Sequence, residues 1–191
     1  MTRLTRQPRS TLDGDAAALF DRIAGGERAG QKPRQPRVGP DGGLEGPFNA
    51  LLLSPALGMA MQDLGAQVRY ASTLTDRCRE IAILTVAATW DSAYESYAHT
   101  DIARAVGLND AELAALAQGT VFDFADPVEL AVARTAWALA REQDLDDERY
   151  AAAVAALGER TLFELVVLVG HYAQVALQLR VFRVQPPAAA L

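Results

Sequence analysis

After residue 46 the apolar positions recur every three or four residues almost without interruption. No run alternates with period two beside β-branched residues and turn signals. That spacing predicts helices throughout. A short one is expected over 15–23, stopped by Gly25 and Gly26, and residues 26–46, with six Gly and three Pro, read as a loop or linker. Residues 47–53 read as a short apolar turn of helix. Ser54 and Pro55 supply an N-cap and a first-position proline for a helix to about residue 70. Thr75 opens a helix over 76–90, and one over 92–106 follows, closed by Gly107. Asn109 with Glu112 starts a short helix to 118 in the manner of a capping box. Asp126 and Pro127 open a helix to 143. Asp146 or Asp147 opens another to 157, closed by Gly158, and Thr161 opens the last, to about 182, before Pro186 and Pro187 end the ordered chain. There is no fixed-period repeat. The pattern predicts an all-α, multi-helix domain with short connections.

The chain has 191 residues, half of them apolar and 22% charged, which suits one globular domain. Its net charge of −6 is uneven: residues 1–37 carry eight Arg or Lys against four Asp or Glu, and the remainder ten against twenty. The expected division is a basic N-terminal arm with a short helix over 1–36 and a helical domain over 37–191. The arm's cations (Arg3, Arg6, Arg9, Arg28, Lys32, Arg34, and Arg37 at its edge) read as a solvated, flexible lead-in, or as a contact for an anion or partner. The acidic body argues against a nucleic-acid partner. Cys78 stands alone, so there is neither an internal disulfide nor a CxxC pair for redox or metal work. The first 30 residues hold no apolar run of the secretory kind. The most apolar stretch, 162–179, contains Glu164, His171, Gln174 and Gln178 and is too polar for a membrane span. These features lead us to expect a cytoplasmic protein with no membrane partner.

One stretch concentrates the chemistry. Glu80, Ser92, Glu95 and His99 form an E-x11-S-x2-E-x3-H pattern inside sequence that reads as buried helix, and His99 is one of only two histidines. At about 100° per residue, with Ser92 at zero, Glu95 falls near ~300° and His99 near ~340°, among Ile102, Ala103 and Val106. That face is expected to pack inward, while Tyr94, Tyr97, Asp101 and Arg104 occupy the opposite one. A short turn at Asp91 makes the 76–90 and 92–106 helices an antiparallel hairpin and brings Glu80 near His99. Proteins build proton-transfer sites from a carboxylate and an imidazole in apolar surroundings. Two carboxylates beside one ring divide their roles, one orienting the ring and one staying protonated. The structural alternatives are a satisfied Glu–His pair, or Glu80 paired with Arg77 or Arg104. A metal would find three ligands in Glu80, Glu95 and His99 where a stable site needs four, and none is assigned. On the last helix Glu164, His171 and Gln178 recur every seven residues. With Tyr172 beside them they read as a solvent-facing or interhelix stripe, or as a second wall of the pocket.

The words RCREIAILTVAATW (77–90) and SAYESYAHTDIARAVGL (92–108) are flanked by GPFNALLLSPALGMAMQDLGAQVRY (46–70) and ELVVLVGHYAQVALQLRVFRVQPP (164–187). In this order they resemble the carboxymuconolactone decarboxylase family, which includes alkylhydroperoxidase D-like proteins. The resemblance implies an all-helical fold, a homo-oligomer (dimer, trimer or hexamer) and a pocket at or near a subunit interface. The peroxidase branch carries E-x11-C-x2-C-x3-H. Its glutamate matches Glu80, its proton-relay histidine matches His99, and its two cysteines match Ser92 and Glu95. Peroxide reduction needs a nucleophilic and a resolving thiol, so antioxidant activity is disfavoured. Cys78, about 160° around its helix from Glu80, is a poor substitute.

The decarboxylase branch works without the cysteine pair. By resemblance the chain is expected to be a lyase that uses no cofactor and performs decarboxylation, isomerisation or ring opening on a small carboxylated or lactone substrate. His99 would be the general acid/base, oriented by Glu80. Glu95 would be a second acid or substrate contact, and Ser92 a donor to a substrate oxygen. Trp90, Tyr94 and His171 would line the pocket. The competing reading is a non-catalytic ligand-binding or assembly module on the same fold.

Overall fold

In a computed structural model that describes residues 2–25, 37–121 and 123–187, every regular element is helical, with only two isolated bridges (Pro8 to Gly43 and Val38 to Leu44) beside the helices. Gly26, Arg28, Lys32 and Arg34 lie outside the described residues. The chain forms two compact units, 1–67 with 178–191, and 68–177.

The first unit holds α1 (Gly14–Gly25), α2 (Phe48–Leu51) and most of α3 (Pro55–Tyr70). Leu19, Phe20 and Ile23 of α1 pack with Leu44, Leu51 and Leu52 into a core of their own. The helix expected in a solvated lead-in is thus held by apolar burial. The arm's arginines are held too. Arg9 pairs with Asp21 at 2.6 Å, Arg6 with Asp41 and Glu45, and Arg37 donates to the Ile23 carbonyl. Arg3 donates from its backbone and side chain to the carbonyls of Phe182 and Val181, where a helix C-terminus favours a cation. These arginines read as free cations in the sequence because their partners are distant in it or lie within the linker.

The second unit is built around α4 (Asp76–Thr89), which packs against α5 (Ala93–Ala105), α6 (Asp110–Ala117) and α7 (Pro127–Arg141). Residues 78–87 of α4 are all buried, which is why its apolar positions run round the helix instead of along one stripe. Ile81, Ile83 and Val86 meet Val132 of α7 and Leu165 and Leu168 of α8 (Asp147–Val181). The expected caps form: Thr75 accepts from the Cys78 amide, Asn109 and Glu112 make the reciprocal capping box, and Asp126 accepts from the amides of Val128 and Glu129 ahead of Pro127. Gly107 sits at φ +96°, a conformation open to glycine and costly for other residues, and ends α5 there. Gly158, at φ 77° and ψ 157°, interrupts α8 where the sequence places a break between two helices. Among the described residues no helix is long and apolar enough to cross a membrane.

Arg77 is not a partner of Glu80. Its Nε bonds Glu129 of α7 at 2.6 Å, its Nη2 bonds Glu112 of α6 at 2.6 Å, and its Nη1 donates to the Gly107 carbonyl. One guanidinium thereby ties the first turn of α4 to three neighbouring segments. Arg104 turns to Asp101 and Asp110 at longer range.

Candidate active site

α4 and α5 pack against each other across a turn whose corner residue, Asp91, has φ 50°. The pairing sets Glu80, one turn into α4, against His99, two turns into α5. Glu80 Oε2 and His99 Nδ1 are 2.6 Å apart, and both side chains are buried. The second oxygen of Glu80 faces Arg69 Nη2 of α3 at 3.4 Å. Arg69 Nη1 in turn donates to the Tyr172 hydroxyl of α8 at 3.1 Å. Tyr172 stands edge-on to the His99 ring, centroids 5.3 Å apart, and equally to His171. Four elements therefore converge on one imidazole, and Tyr172 links His171 to it.

The electrostatics follow from this arrangement. Burial pushes the Glu80 carboxyl up, but His99, Arg69 and Arg79 together outweigh it and hold the group below the usual carboxylate range. Glu80 is thus an ionised acceptor inside the protein. Burial opposes the charge on Arg69 as well, and Tyr172 and Glu80 more than restore it.

Glu95 has the opposite surroundings. It shares the buried face of α5 with His99 but makes no bond to the ring: both of its oxygens are buried without a hydrogen-bond partner. Burial raises it to about 8, and the Ser92 hydroxyl opposes that rise. At neutral pH Glu95 is an uncharged acid. Among the described residues no group of three His, Cys, Asp or Glu is placed to hold a metal.

Of the residues singled out in the sequence, Glu80 and His99 are brought into contact, and Ser92, Glu95 and His99 are buried on one helix face. Trp90 packs against the main core and Tyr94 stands edge-on to Tyr97 at 6.0 Å. Arg69 and Tyr172 complete the network. Tyr172 was visible only as a neighbour of His171, and Arg69, at the end of α3, carries no spacing signal toward Glu80. A cavity of about 370 Å³ lies between α4, α5 and α6, lined by Leu84, Ser96, Thr100, Arg104, Leu113 and Leu116 among others, and by none of Glu80, Ser92, Glu95 or His99.

Similarity to known proteins agrees with this architecture. The debrominase Bmp8 has the same fold both in complex with 2,3,4-tribromopyrrole and in its apo form. Each superposes with a TM-score of 0.74 at 18% identity, covering 100% of this chain and 94% or 95% of the other. A protein of unknown function from Agrobacterium tumefaciens, described as a putative antioxidant defence protein AhpD, superposes with a TM-score of 0.65 at 18% identity, over 73% of this chain and 97% of its own. No curated protein matches the chain. Residues 55–142 match the model of the carboxymuconolactone decarboxylase family. That segment contains α4 and α5 with Glu80, Ser92, Glu95 and His99, and over it the chain is similar to the carboxymuconolactone decarboxylase family.

Proposed function

We propose that this chain is a carboxymuconolactone decarboxylase-like lyase. It acts by acid–base chemistry without a cofactor on a small carboxylated or lactone substrate, through decarboxylation, isomerisation or ring opening. The observation that carries this reading is the buried 2.6 Å contact between Glu80 and His99. With Glu80 ionised and backed by Arg69, Nδ1 is the ring nitrogen that faces the carboxylate, and Nε2 is the one assigned to the substrate. That nitrogen takes a proton from the substrate and gives one back. Glu80 acts through the ring and is a positioning residue. Glu95, uncharged at neutral pH, is the second acid or substrate contact, and Ser92 donates to a substrate oxygen. Trp90, Tyr94 and His171 are assigned to the pocket wall. The chemistry is assigned to the helical domain over 37–191, with 1–36 as its arm.

Two further observations support this reading. Cys78 is buried, and burial pushes its thiol up, which leaves thiol chemistry without a nucleophile. A debrominase of the same fold holds a brominated pyrrole, a ligand of the small-ring size proposed here. The protein is further proposed to be cytoplasmic and to work as a homo-oligomer (dimer, trimer or hexamer); the oligomer is supported by α8, which exposes Phe163, Val166 and Leu177 on one side.

One observation favours a non-catalytic binding or assembly module instead: the cavity beside α6 does not include the His99 cluster. Assay of a panel of lactones and keto acids separates the two readings. Turnover by the wild type that falls about 10²- to 10⁴-fold in His99→Ala, with helical content unchanged, supports the enzyme. No turnover by the wild type, or full turnover by the variant, overturns it.

A further inference from the structure

Ser92 and Glu95 stand at the N-cap and third positions of α5, the Ser-x-x-Glu spacing of a capping box. Asn109 and Glu112 form that box at α6, yet neither of its bonds forms at α5. Ser92 has φ −95° and ψ 86° and makes no side-chain cap. Its own amide is already donated to the Ala87 carbonyl at 2.8 Å, so Glu95 has no donor to reach back to. Ser92 Oγ and both Glu95 oxygens are left buried without partners. The Glu95 residue is only 3% exposed. Buried polar atoms without bonds are a standing cost to the fold, and no structural role accounts for these three.

Resting on the acid–base reading of His99, we infer that the Ser92 hydroxyl, the Glu95 carboxyl and the uncapped first turn of α5 form an oxyanion site. The ligand it takes is an enolisable carbonyl compound, a ketone or lactone with a C–H beside the carbonyl. The carbonyl oxygen receives the two O–H groups, and the positive end of the helix faces the charge that develops there. His99 Nε2 takes the proton from the neighbouring carbon. The C–H electron pair becomes the new C=C bond, and the carbonyl π pair moves onto the oxygen. Return of the proton from His99 to carbon restores the carbonyl and the neutral ring, so no oxidant or co-reactant is needed.

The site depends on Glu95 keeping its proton. Burial raises Glu95 to about 8, and Ser92 opposes that rise. Ionisation would then place a negative charge against the ligand oxygen.

Binding of pentafluorophenolate, a planar enolate mimic that is ionised throughout the range, tests this by titration calorimetry from about pH 7 to about pH 9. The wild type is expected to bind it and to weaken about tenfold across that range. Ser92→Ala is expected to weaken binding by about tenfold or more at pH 7. Glu95→Gln keeps a donor without a titration, and its affinity is expected to stay flat with pH. A wild type that does not bind the probe, or a Ser92→Ala variant within about twofold of a wild type whose affinity is flat, overturns the site. Glu95→Gln carries the test alone if Ser92→Ala fails to fold. Binding needs no proton transfer, so a failed turnover assay and a failed oxyanion site are separate results.

Discussion

Glu80 and Glu95 are both buried carboxyls on packed helices, and their neighbours drive them in opposite directions. Glu80 has His99, Arg69 and Arg79 within electrostatic reach and stays ionised; Glu95 has only Ser92 and rises to about 8. The consequence for stability has a definite sign. Between the ordinary carboxyl value and about 8, unfolded Glu95 has lost its proton while the folded residue keeps it, so the fold loses stability as pH rises through that window. The loss is on the order of 5 kcal/mol when complete. Glu95→Gln removes it: in urea denaturation the variant is expected to gain on the wild type steadily from about pH 5 to about pH 8.5. A gap that stays constant with pH would show that Glu95 titrates normally. Glu80 behaves in the opposite way, contributing stability above the usual carboxyl value and losing it as pH falls through its depressed one. The contact between Glu80 and His99 was legible, because helical periodicity and a short turn leave few ways to arrange the two helices. The split between the carboxyls was legible only as a possibility, since the sequence does not say which one has cations around it. His99 lowers Glu80 most, with Arg69 and Arg79 behind it, and Arg69 comes from a helix whose direction toward α4 no local signal sets.

Helix ends were the most readable elements, because each cap is a local hydrogen bond between residues three apart. Thr75, Asn109, Gly107 and Asp126 all act where the sequence puts them. The exception is Ser92–Glu95, where the capping spacing is present and the cap is not. There the chain leaves α4 through Asp91 at positive φ, and the Ser92 amide is drawn back to the Ala87 carbonyl. The tertiary turn overrides the local pattern. Asn109→Ala is expected to cost about 1 kcal/mol in chemical denaturation. Ser92→Ala, which removes no cap, is expected to cost less than about 0.5 kcal/mol. Equal losses would mean that Ser92 caps α5 after all. Arg77 shows the other limit of local reading, since its partners Glu112 and Glu129 lie on α6 and α7 and no spacing rule connects them to it.

Over the whole molecule, the all-helical character follows from periodicity, while the way the N-terminal residues are held does not. Leu19, Phe20 and Ile23 read as a modest amphipathic stretch, and only contact with Leu44 and Leu52 turns them into a core. Among the described residues, α8 carries exposed apolar side chains. Phe163 is 67% exposed and Leu177 48%, with Val166 between them and no atom within 4 Å of the space a Gly170 side chain would fill. This stripe is the support for self-association. Phe163→Glu combined with Leu177→Glu is expected to shift the protein toward monomer in light scattering without loss of helicity, because both side chains are already exposed. A wild type that is monomeric at every concentration would remove the oligomer from the proposal.

The proposed chemistry requires His99 to move protons between carbon and solvent, and proton exchange reads that step without a known product. Enolisable lactones and keto acids incubated with the protein in deuterium oxide are expected to take up deuterium beside the carbonyl, as followed by proton NMR. His99→Ala is expected to slow uptake by about 10²-fold or more while keeping its helical content. Uptake by His99→Ala at the wild-type rate, or none by the wild type on any member of the panel, would contradict the role given to this imidazole.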